Sequence, residues 1–594
     1  MQKLLQLIKN KSAGLLIPAF FSVWAVSRAG SLSTRSILTP VLFLTFTVFF
    51  RHASRLKDQR LTASPRHITA FSAALALLFT LLILLAETAS LTEGLDNRLF
   101  RLLILSACGA GFFFLFYYIL LFLFTYAAEH TLTGEKTPVT HLPAITFAAC
   151  ILCWLPYFLY EYPGIMSPDS INQFEQVLGM VPYSNHHPWA HTMVIKFFYS
   201  LGSLFTQDQN AALSFFTVFQ MCFMAFAASR LIAALQKLHI RNILCILTAA
   251  FYALLPYHAV FAVTIWKDVM FSGAVLLFTT ALLHLVFHLD STSKKQFLTL
   301  AAYIISGLMM CLFRSNGWYA FLFSLPFLLY AFRRRLQVML PVHIVILTLA
   351  LLIKVPVMNS FHVTQPDFVE SICIPLQQVA RVICEDRELT PAQWDSVHNV
   401  IDTTYIKDLY APGFADNMKE LVRAGSPGYL TAHKGEYLRL WLSLGLKYPA
   451  TYLHAYIDQT IGYWYPDVAY TVGDMDGIIP NETGVYHRPL IAGPVVVKTK
   501  EILLKLSDIL PLYGLLFSMG AMFWLLLCCI AASLLKKQYS RCILYLPGLA
   551  VILTLFIATP VSSEFRYAYS LACALPLYLL LPFLPAKPVR EPLQ

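Results

Sequence analysis

The amino-acid sequence predicts an all-α polytopic membrane protein, with about 14 transmembrane helices and a mostly helical domain outside the membrane. Three observations lead to this fold class. Hydrophobic residues make up 58% of the 594 residues and charged residues only 13%, about half of the charged share of a soluble protein. Apolar stretches long enough to cross a bilayer recur along most of the chain, and a long polar stretch interrupts them late in the sequence. A soluble fold could not cover so much apolar surface with so few charges.

The transmembrane helices are predicted from the length of about 20 apolar residues that is needed to cross the bilayer core. The predicted spans cover residues 12–29, 36–50, 69–87, 102–127, 142–160, 210–233, 243–264, 271–289, 297–313, 318–332, 338–356, 507–534, 542–559 and 567–585.

Lysine and arginine counts orient the chain, because cytoplasmic loops carry an excess of these residues. With the N-terminus in the cytoplasm, the inside segments carry 21 of them, whereas short outside loops and outer span ends carry nine. Residues 190–206 are apolar enough to form a further span, but a crossing there would turn Arg333–Arg335 outward. They are therefore predicted as a helix lying at the outer interface, and both termini are expected in the cytoplasm.

Four segments follow from this topology. Residues 1–140 hold extra N-terminal transmembrane helices, and residues 141–356 form a transmembrane core whose first outer loop covers residues 161–209. Residues 357–506 are polar and mixed in charge, and their length is that of an ordinary domain. They are predicted to form an extracytoplasmic domain, which residues 507–594 follow with the C-terminal transmembrane helices and a short cytoplasmic tail.

Two local patterns indicate helices in the polar segment. Thr390 stands before Pro391, an N-cap residue followed by a proline at the first helical position. The stretch IPLQQVARV predicts a helix between Cys373 and Cys384. One unbroken helix would separate these two cysteines by about 16 Å, and a disulfide needs Cα atoms within about 7 Å. The pattern therefore disfavours a bridge between them.

The first outer loop is rich in side chains that carry chemistry, Asp169, His186 and His187 among them. A helix is predicted to end at Gly179, with Ser167 or Asp169 as its N-cap. Asp169 thus has two interpretations, as a helix cap or as a functional carboxylate. The histidine pair matches no known metal motif, and metal binding by either histidine is left open.

Three polar clusters occur at the outer ends of later spans. They are Lys267–Asp268, Arg314–Asn316 and Glu564–Arg566. Any one of them could reach water or lipid phosphate on its own, but ionisable groups at membrane depth are functional candidates. The topology places all three on the same membrane face as Asp169, which favours a common site.

These features resemble the GT-C class of membrane glycosyltransferases, which contains protein O-mannosyltransferases and lipid A aminoarabinose transferases. That class carries an acidic motif in the first outer loop, matched here by Asp169-Ser170, and an acidic residue in the second outer loop, matched by Asp268. The step His187-Pro188 matches the opening of the helix that follows the acidic motif. The usual Asp-Glu pair of the acidic motif is Asp-Ser here.

A closer resemblance covers roughly residues 150–585. The segments PGIMSPDS, WKDVMF, FRSNG, IPLQQVARV, KYPATYLHAYIDQTIGYWYPD and EFRYAY look like a bacterial family of uncharacterised, glycosyltransferase-like polytopic proteins.

The resemblance implies glycosyl transfer from a polyprenyl-phosphate sugar to a glycan, lipid or protein acceptor of the cell envelope. The reaction would take place on the outer face of the bacterial cytoplasmic membrane. The core at residues 141–356 would be GT-C-like, with its first outer loop, residues 161–209, as the catalytic loop. Asp169 would be the general base and Asp268 a second catalytic carboxylate. Binding of the donor phosphate and substrate would fall to Lys267, Arg314, Asn316, Arg566, His187 and Glu564. Whether Asp169 and Asp268 also hold a divalent metal, Mg or Mn, is left open.

Two other classes of function remain open at this stage. A transporter or flippase of lipid-linked sugars would use the same cations but would need no base at Asp169. A polysaccharide polymerase or ligase also has many spans and a large late outer loop, and its catalysis leans on arginine and histidine. The basic residues are scattered between apolar segments, which argues against nucleic acid as a partner.

Overall fold

A computed structural model of the protein describes residues 13–33, 35–57, 64–132, 138–290, 292–468, 470, 472 and 476–584. Within these residues the regular structure is helical, with isolated β-bridges and no strands. The predicted all-α class is therefore confirmed. The predicted cytoplasmic ends, residues 1–11 and 586–594, lie outside the described residues.

Eight described helices are long and apolar enough to cross a membrane, and the number is nine if one bent pair forms a single span. The bent pair is Asn242–Leu254 and Pro256–Val263, which meet at 51°. The eight are Pro65–Leu91, Arg98–Glu129, Leu142–Tyr160, Gln209–Lys237, Lys267–Phe287, Ser293–Phe313, Arg333–Ser360 and Tyr539–Ala558. Many large apolar side chains on these helices are exposed, as lipid-facing residues are. The chain is a multi-pass helical membrane protein.

The chain divides into two compact units, and the first comprises Met1–Leu132, Phe523–Cys542 and Tyr578–Ala586. Its N-terminal helices are α1 Leu16–Ala29, α2 Leu38–Lys57, α3 Pro65–Leu91 and α4 Arg98–Glu129. Apolar residues of α2, α3 and α4 form a buried cluster with residues 531–535, and the ring of Phe79 stacks on that of Trp524 at 4.1 Å. This unit therefore combines most of residues 1–140, the predicted extra N-terminal helices, with two segments from the C-terminal part of the chain.

The second unit comprises Thr133–Met522, Ile543–Leu577 and Lys587–Gln594. Its helices before the polar segment are α5 Leu142–Tyr160, α6 Pro168–Leu178, α7 Trp189–Ser203, α8 Gln209–Lys237, α9 Asn242–Leu254, α10 Pro256–Val263, α11 Lys267–Phe287, α12 Ser293–Phe313, α13 Ser315–Ala331 and α14 Leu336–Leu352. Most residues of α11 are buried, and Asp268, the second residue of the helix, is among them.

Residues 357–506, called the polar region below, are mostly helical, as predicted. Their helices are α15 Met358–Ser360, α16 Cys373–Cys384, α17 Pro391–His398, α18 Ile406–Leu409, α19 Asp416–Ala424, α20 Pro427–Ala432, α21 Lys434–Lys447, α22 Pro449–Thr460 and α23 Pro494–Ile509. The last helices are α24 Met519–Leu535, α25 Leu546–Ala558 and α26 Tyr569–Leu580. Short 3-10 or π segments are Ala13–Leu15, Arg333–Arg335, Ile353–Val357, Phe368–Ser371, Ile461–Tyr463, Gly514–Phe517, Tyr539–Tyr545, Phe565–Ala568 and Leu581–Phe583.

Two local expectations for the polar region are confirmed. Thr390 caps α17 in a capping box, in which its hydroxyl oxygen accepts from the backbone of Gln393 and the Gln393 side chain accepts from the backbone of Thr390. Cys373 and Cys384 stand at the two ends of the single helix α16, and both are free thiols.

Backbone hydrogen bonds fix the polar region to the loop between α25 and α26. The amide of Ala415 donates to the carbonyl of Pro560 at 2.8 Å, and the amide of Ser562 donates to the carbonyl of Gly413 at 2.8 Å. The buried side chain of Gln459 donates to the Pro560 carbonyl at 2.7 Å. A Cβ at position 413 would stand 2.5 Å from the Ser562 hydroxyl, so a larger residue here would force the Ser562 side chain to move.

Candidate active site

The segment after α5 is held against the segment before α11. The amide of Ile165 donates to the carbonyl of Val263, and the amide of Ile265 donates to the carbonyl of Ile165, both at 3.0 Å. Gly164 adopts a φ of 148°, and a Cβ there would lie 2.8 Å from the Thr217 hydroxyl. These contacts fix the start of α6 beside the start of α11. Asp169 lies at the start of α6, and Lys267 and Asp268 lie at the start of α11.

Helix α6 is confirmed, and it ends at Gly179 in the left-handed conformation with a φ of 75°. Ser167 occupies the N-cap position, but its hydroxyl oxygen accepts a hydrogen bond from the indole N–H of Trp266 at 2.7 Å. Asp169 is not the N-cap residue. Of its two interpretations, the helix cap is therefore excluded by the geometry, and its carboxylate serves other partners.

Asp169 is surrounded by cationic and imidazole nitrogens. Its Oδ2 lies 2.8 Å from Lys267 Nζ and 3.2 Å from Arg566 Nη1. The Nδ1 atom of His187 lies 3.9 Å from the same oxygen and 2.9 Å from Lys267 Nζ. The structure thus brings together four predicted site residues from three separate parts of the sequence.

The protonation of this group follows from its charges. Burial alone would raise the pKa of Asp169, but the positive charges of Lys267 and Arg566 outweigh it and hold the pKa far below its usual range. Burial, followed by the charge of Lys267, lowers the pKa of His187 to about 2. His187 is therefore neutral at physiological pH, and it can accept a hydrogen bond from the Lys267 ammonium.

A second ion pair lies beside the first. Arg314 pairs with Asp268, which is fully buried at the start of α11. The Nε of Arg314 donates to Asn316 Oδ1 at 3.0 Å, and the Asn316 amide in turn donates to Thr554 Oγ1 at 3.1 Å. Asp268 and Asn316 therefore orient Arg314, and a buried arginine paired in this way has a fixed direction.

Aromatic rings join the two ion pairs. The guanidinium carbon of Arg566 lies 4.5 Å from the centre of the Trp266 ring and 5.3 Å from that of Tyr567. The guanidinium carbon of Arg314 lies 4.8 Å from the Tyr567 ring. Glu564 Oε1 lies 3.4 Å from Arg566 Nε. Stacking of this kind favours arginine over lysine, because the planar guanidinium matches an aromatic face.

A cavity of about 330 Å³ opens beside Asp169. Asp169, Glu564 and Arg566 line it among the predicted site residues, and Lys267 lies behind this lining in contact with Asp169. Its walls also include Trp266 and Tyr567. A concave site with aromatic walls and a few converging charged groups is typical of a small-molecule binding site.

The residues do not fit a resident divalent metal at Asp169 and Asp268. Among the described residues, no group of three or more His, Cys, Asp or Glu side chains is placed to hold a metal ion. Asp169 Oδ2 is shared by two cations, and Asp268 is paired with Arg314. A metal would have to displace these cations, and Mg²⁺ or Mn²⁺ prefers oxygen ligands free to coordinate. His186 lies 3.9 Å from Glu370 and turns to the polar region.

Sequence reasoning missed four residues of this site. Trp266 and Tyr567 each stand next to a predicted cation, so an aromatic neighbour of a charged residue was a usable signal. Phe414 and Asp416 also line the cavity. No pattern in the sequence connects them with residues so distant along the chain.

The fold and the site define a multi-pass helical membrane protein that gathers a carboxylate, an imidazole and three cations at neighbouring helix ends. A family model described as "Family of unknown function (DUF6020)" matches residues 178–588, and the chain belongs to this family. The matched range begins after Asp169 and includes the other predicted site residues. Searches of curated proteins and of solved structures found no match.

Proposed function

We propose that this protein is a GT-C-type membrane glycosyltransferase that moves a sugar from a polyprenyl-phosphate-linked donor to an acceptor. The acceptor would be a glycan, lipid or protein of the cell envelope. One observation carries the proposal, namely that Lys267 and Arg566 converge on Asp169 beside a cavity, while Arg314 contacts the Tyr567 ring in the cavity wall. Cations around a phosphate and a carboxylate beside the sugar are what such a transfer requires.

The proposal includes a topology of fourteen spans, with both termini in the cytoplasm and the site on the outer face of the bacterial cytoplasmic membrane. The excess of lysine and arginine in the predicted inside segments supports it. Met180, next to the end of α6, is half exposed. A cysteine placed there in a variant without other reactive thiols should react with a membrane-impermeant maleimide added to intact cells. Labelling only after the cytoplasm is opened would contradict this topology.

The donor phosphate would lie between the guanidinium of Arg566 and the ammonium of Lys267. Arginine binds phosphate through two parallel N–H groups of its planar guanidinium. The contact with the Trp266 ring holds the guanidinium of Arg566 in place before the donor binds. Arg314, fixed by Asp268 and in contact with Tyr567, would add charge stabilisation as the phosphate leaves.

Asp169 would act as the general base once the donor is bound. In the structure its basicity is suppressed by Lys267 and Arg566, and a donor phosphate that shares these cations would restore part of it. The acceptor oxygen would then form a bond to the anomeric carbon while the bond from that carbon to the phosphate oxygen breaks. The acceptor proton passes to Asp169, and polyprenyl phosphate leaves with the bonding electron pair.

A second candidate, a polysaccharide polymerase or ligase, is favoured by one observation. Asp169 is a weak base while its two cations hold it, and the imidazole of His187 lies beside the same group, 2.9 Å from Lys267. A mechanism that leans on His187 and the arginines would tolerate loss of Asp169 and fail on loss of His187.

Arg566 gives the direct test of phosphate binding. In purified protein, Arg566→Ala should weaken binding of farnesyl phosphate by roughly tenfold to a hundredfold, because it removes a charge-assisted pair of hydrogen bonds. Arg566→Lys should restore only part of this affinity, since the lysine ammonium carries the charge but lacks the planar guanidinium that donates two parallel hydrogen bonds. Isothermal titration calorimetry in detergent would measure both.

Arg488 provides the matched control for this experiment. It pairs with Asp208 at 2.9 Å and its side chain is half exposed, so Arg488→Lys should leave the affinity for farnesyl phosphate unchanged. Equal binding by the wild type and Arg566→Ala would refute the phosphate site.

A further inference from the structure

Part of the cavity wall comes from the polar region. Phe414 and Asp416 line the cavity together with Val561 and Glu564 of the loop between α25 and α26. Phe414 forms an antiparallel backbone bridge with Val561, which adds to the backbone hydrogen bonds between the same two loops. This side of the cavity is therefore a built wall with a fixed position.

The wall is rich in hydrogen-bond acceptors. Three carboxylates line the cavity, Asp169, Asp416 and Glu564, against the one guanidinium of Arg566. Asp416 pairs with the buried Lys419 at 2.6 Å and Glu564 with Arg566 at 3.4 Å, yet their side chains keep 41% and 30% of their exposure. An ionised carboxylate only accepts hydrogen bonds, so a ligand at this wall must supply the donors.

We infer that Asp416 and Glu564 recognise the sugar of the lipid-linked donor and select a sugar that carries no acidic group. This inference rests on the proposed function and names the substrate class of the same site. Sugar hydroxyl or ammonium groups donate to carboxylates, whereas a sugar carboxylate would add a fourth negative charge to this wall, next to the donor phosphate. The rings of Trp266 and Phe414 offer apolar surface for the carbon face of the sugar.

The size of the cavity agrees with a single sugar unit. At about 330 Å³ it lies at the low end of the roughly 300–1,000 Å³ found for small-molecule sites. A monosaccharide fits this space, whereas a longer glycan on the donor would extend outside it.

Four lipids test the selection on the purified full chain. They are farnesyl phosphate and its conjugates with glucose, glucosamine and glucuronic acid. We expect the glucose and glucosamine conjugates to bind roughly tenfold or more tightly than sugar-free farnesyl phosphate, through hydrogen bonds to charged acceptors. The glucuronic acid conjugate should bind at least about tenfold more weakly than the glucose conjugate. If the glucosamine conjugate binds more tightly than the glucose conjugate, an ammonium group is the hydrogen-bond donor that this wall prefers.

Two variants assign the selection to this wall. Asp416→Asn should reduce the gain in affinity that the glucose conjugate has over farnesyl phosphate. It should also reduce the loss of affinity of the glucuronic acid conjugate, while the affinity for sugar-free farnesyl phosphate stays unchanged. Glu564→Gln should reduce the same two differences in affinity. It should not weaken the binding of farnesyl phosphate, because it frees Arg566 from a competing carboxylate. Glu420→Gln is the matched control, since Glu420 is on the same helix as Asp416 and is exposed beside Arg423. It should keep the wild-type preferences.

The possible failures are distinguishable. If farnesyl phosphate binds but the glucuronic acid conjugate binds as well as the glucose conjugate, the inference is overturned while the phosphate site stands. The same holds if both Asp416→Asn and Glu564→Gln keep the wild-type preferences. If no lipid in the series binds, both the proposed function and this inference fall.

Discussion

Replacement of Asp169 by asparagine should reduce glycosyl transfer by roughly 10²–10⁴-fold, the usual contribution of a general base. Asn has nearly the same size but cannot take a proton from the acceptor. The same change frees Lys267 and Arg566 from their shared carboxylate, so farnesyl phosphate should bind at least as tightly as before. Transfer and lipid binding measured on the same preparation would separate loss of a base from loss of the fold.

Two further measurements sharpen this prediction. Asp386→Asn is the control, because Asp386 is an exposed partner of Lys407 in the polar region, and it should retain full transfer. The charges around Asp169 lower its pKa, so the carboxylate stays ionised as pH falls from about 8 to about 5, and kcat/KM of the wild type should show no acid limb from its protonation. Wild-type transfer by Asp169→Asn, or loss of farnesyl phosphate binding with it, would contradict the assignment as a base.

Asp268→Asn should destabilise the protein by about 3–5 kcal/mol, because it leaves the charge of Arg314 buried without a counter-ion. Asp268 is fully buried and pairs with Arg314 at the start of α11, the most enclosed of the eight described helices of spanning length. Thermal unfolding in detergent, followed by circular dichroism, would show the loss as a lower Tm.

A double variant tests the cause of this loss. Asp268→Asn combined with Arg314→Gln removes both charges and should recover much of the Tm, although donor binding stays weak. Asp208→Asn is the matched control, since Asp208 pairs with Arg488 at the surface and asparagine keeps its role as the N-cap of α8. A Tm for Asp268→Asn equal to that of Asp208→Asn would show that the ion pair does not support the fold.

Local signals in the sequence predicted individual helices, whereas the number of membrane crossings is not a local property. Apolar length and cap residues are local signals, and they correctly predicted α6 with Gly179 at its end, α17 with Thr390 as its cap, and α16 between the two cysteines. Whether each apolar helix crosses the membrane depends on its neighbours and on the lipid around it. The described structure has eight or nine helices of spanning length, and the fourteen-span topology stays a prediction.

The sequence indicated the charged residues that meet at these helix ends, but not their pairings or the aromatic rings beside them. Positive charges at the predicted outer ends of spans pointed to Lys267, Arg314 and Arg566, because charge at membrane depth is costly and therefore informative. The sequence did not indicate that Asp268 pairs with Arg314 while Asp169 pairs with Lys267. These pairings depend on which side chains meet at distances of a few ångströms.

By itself, the sequence determined that the protein is helical, that it belongs in a membrane, and that it carries charged groups at helix ends. Hydrophobicity and helix capping act over a few residues, so they can be read along the chain. Only the tertiary structure decided that the polar region brings Asp416 to the same cavity as Asp169, and that Asp169 is bound by cations instead of capping its helix. The physical reason is that ion pairs and cavity walls form between segments hundreds of residues apart, and their partners are chosen by packing.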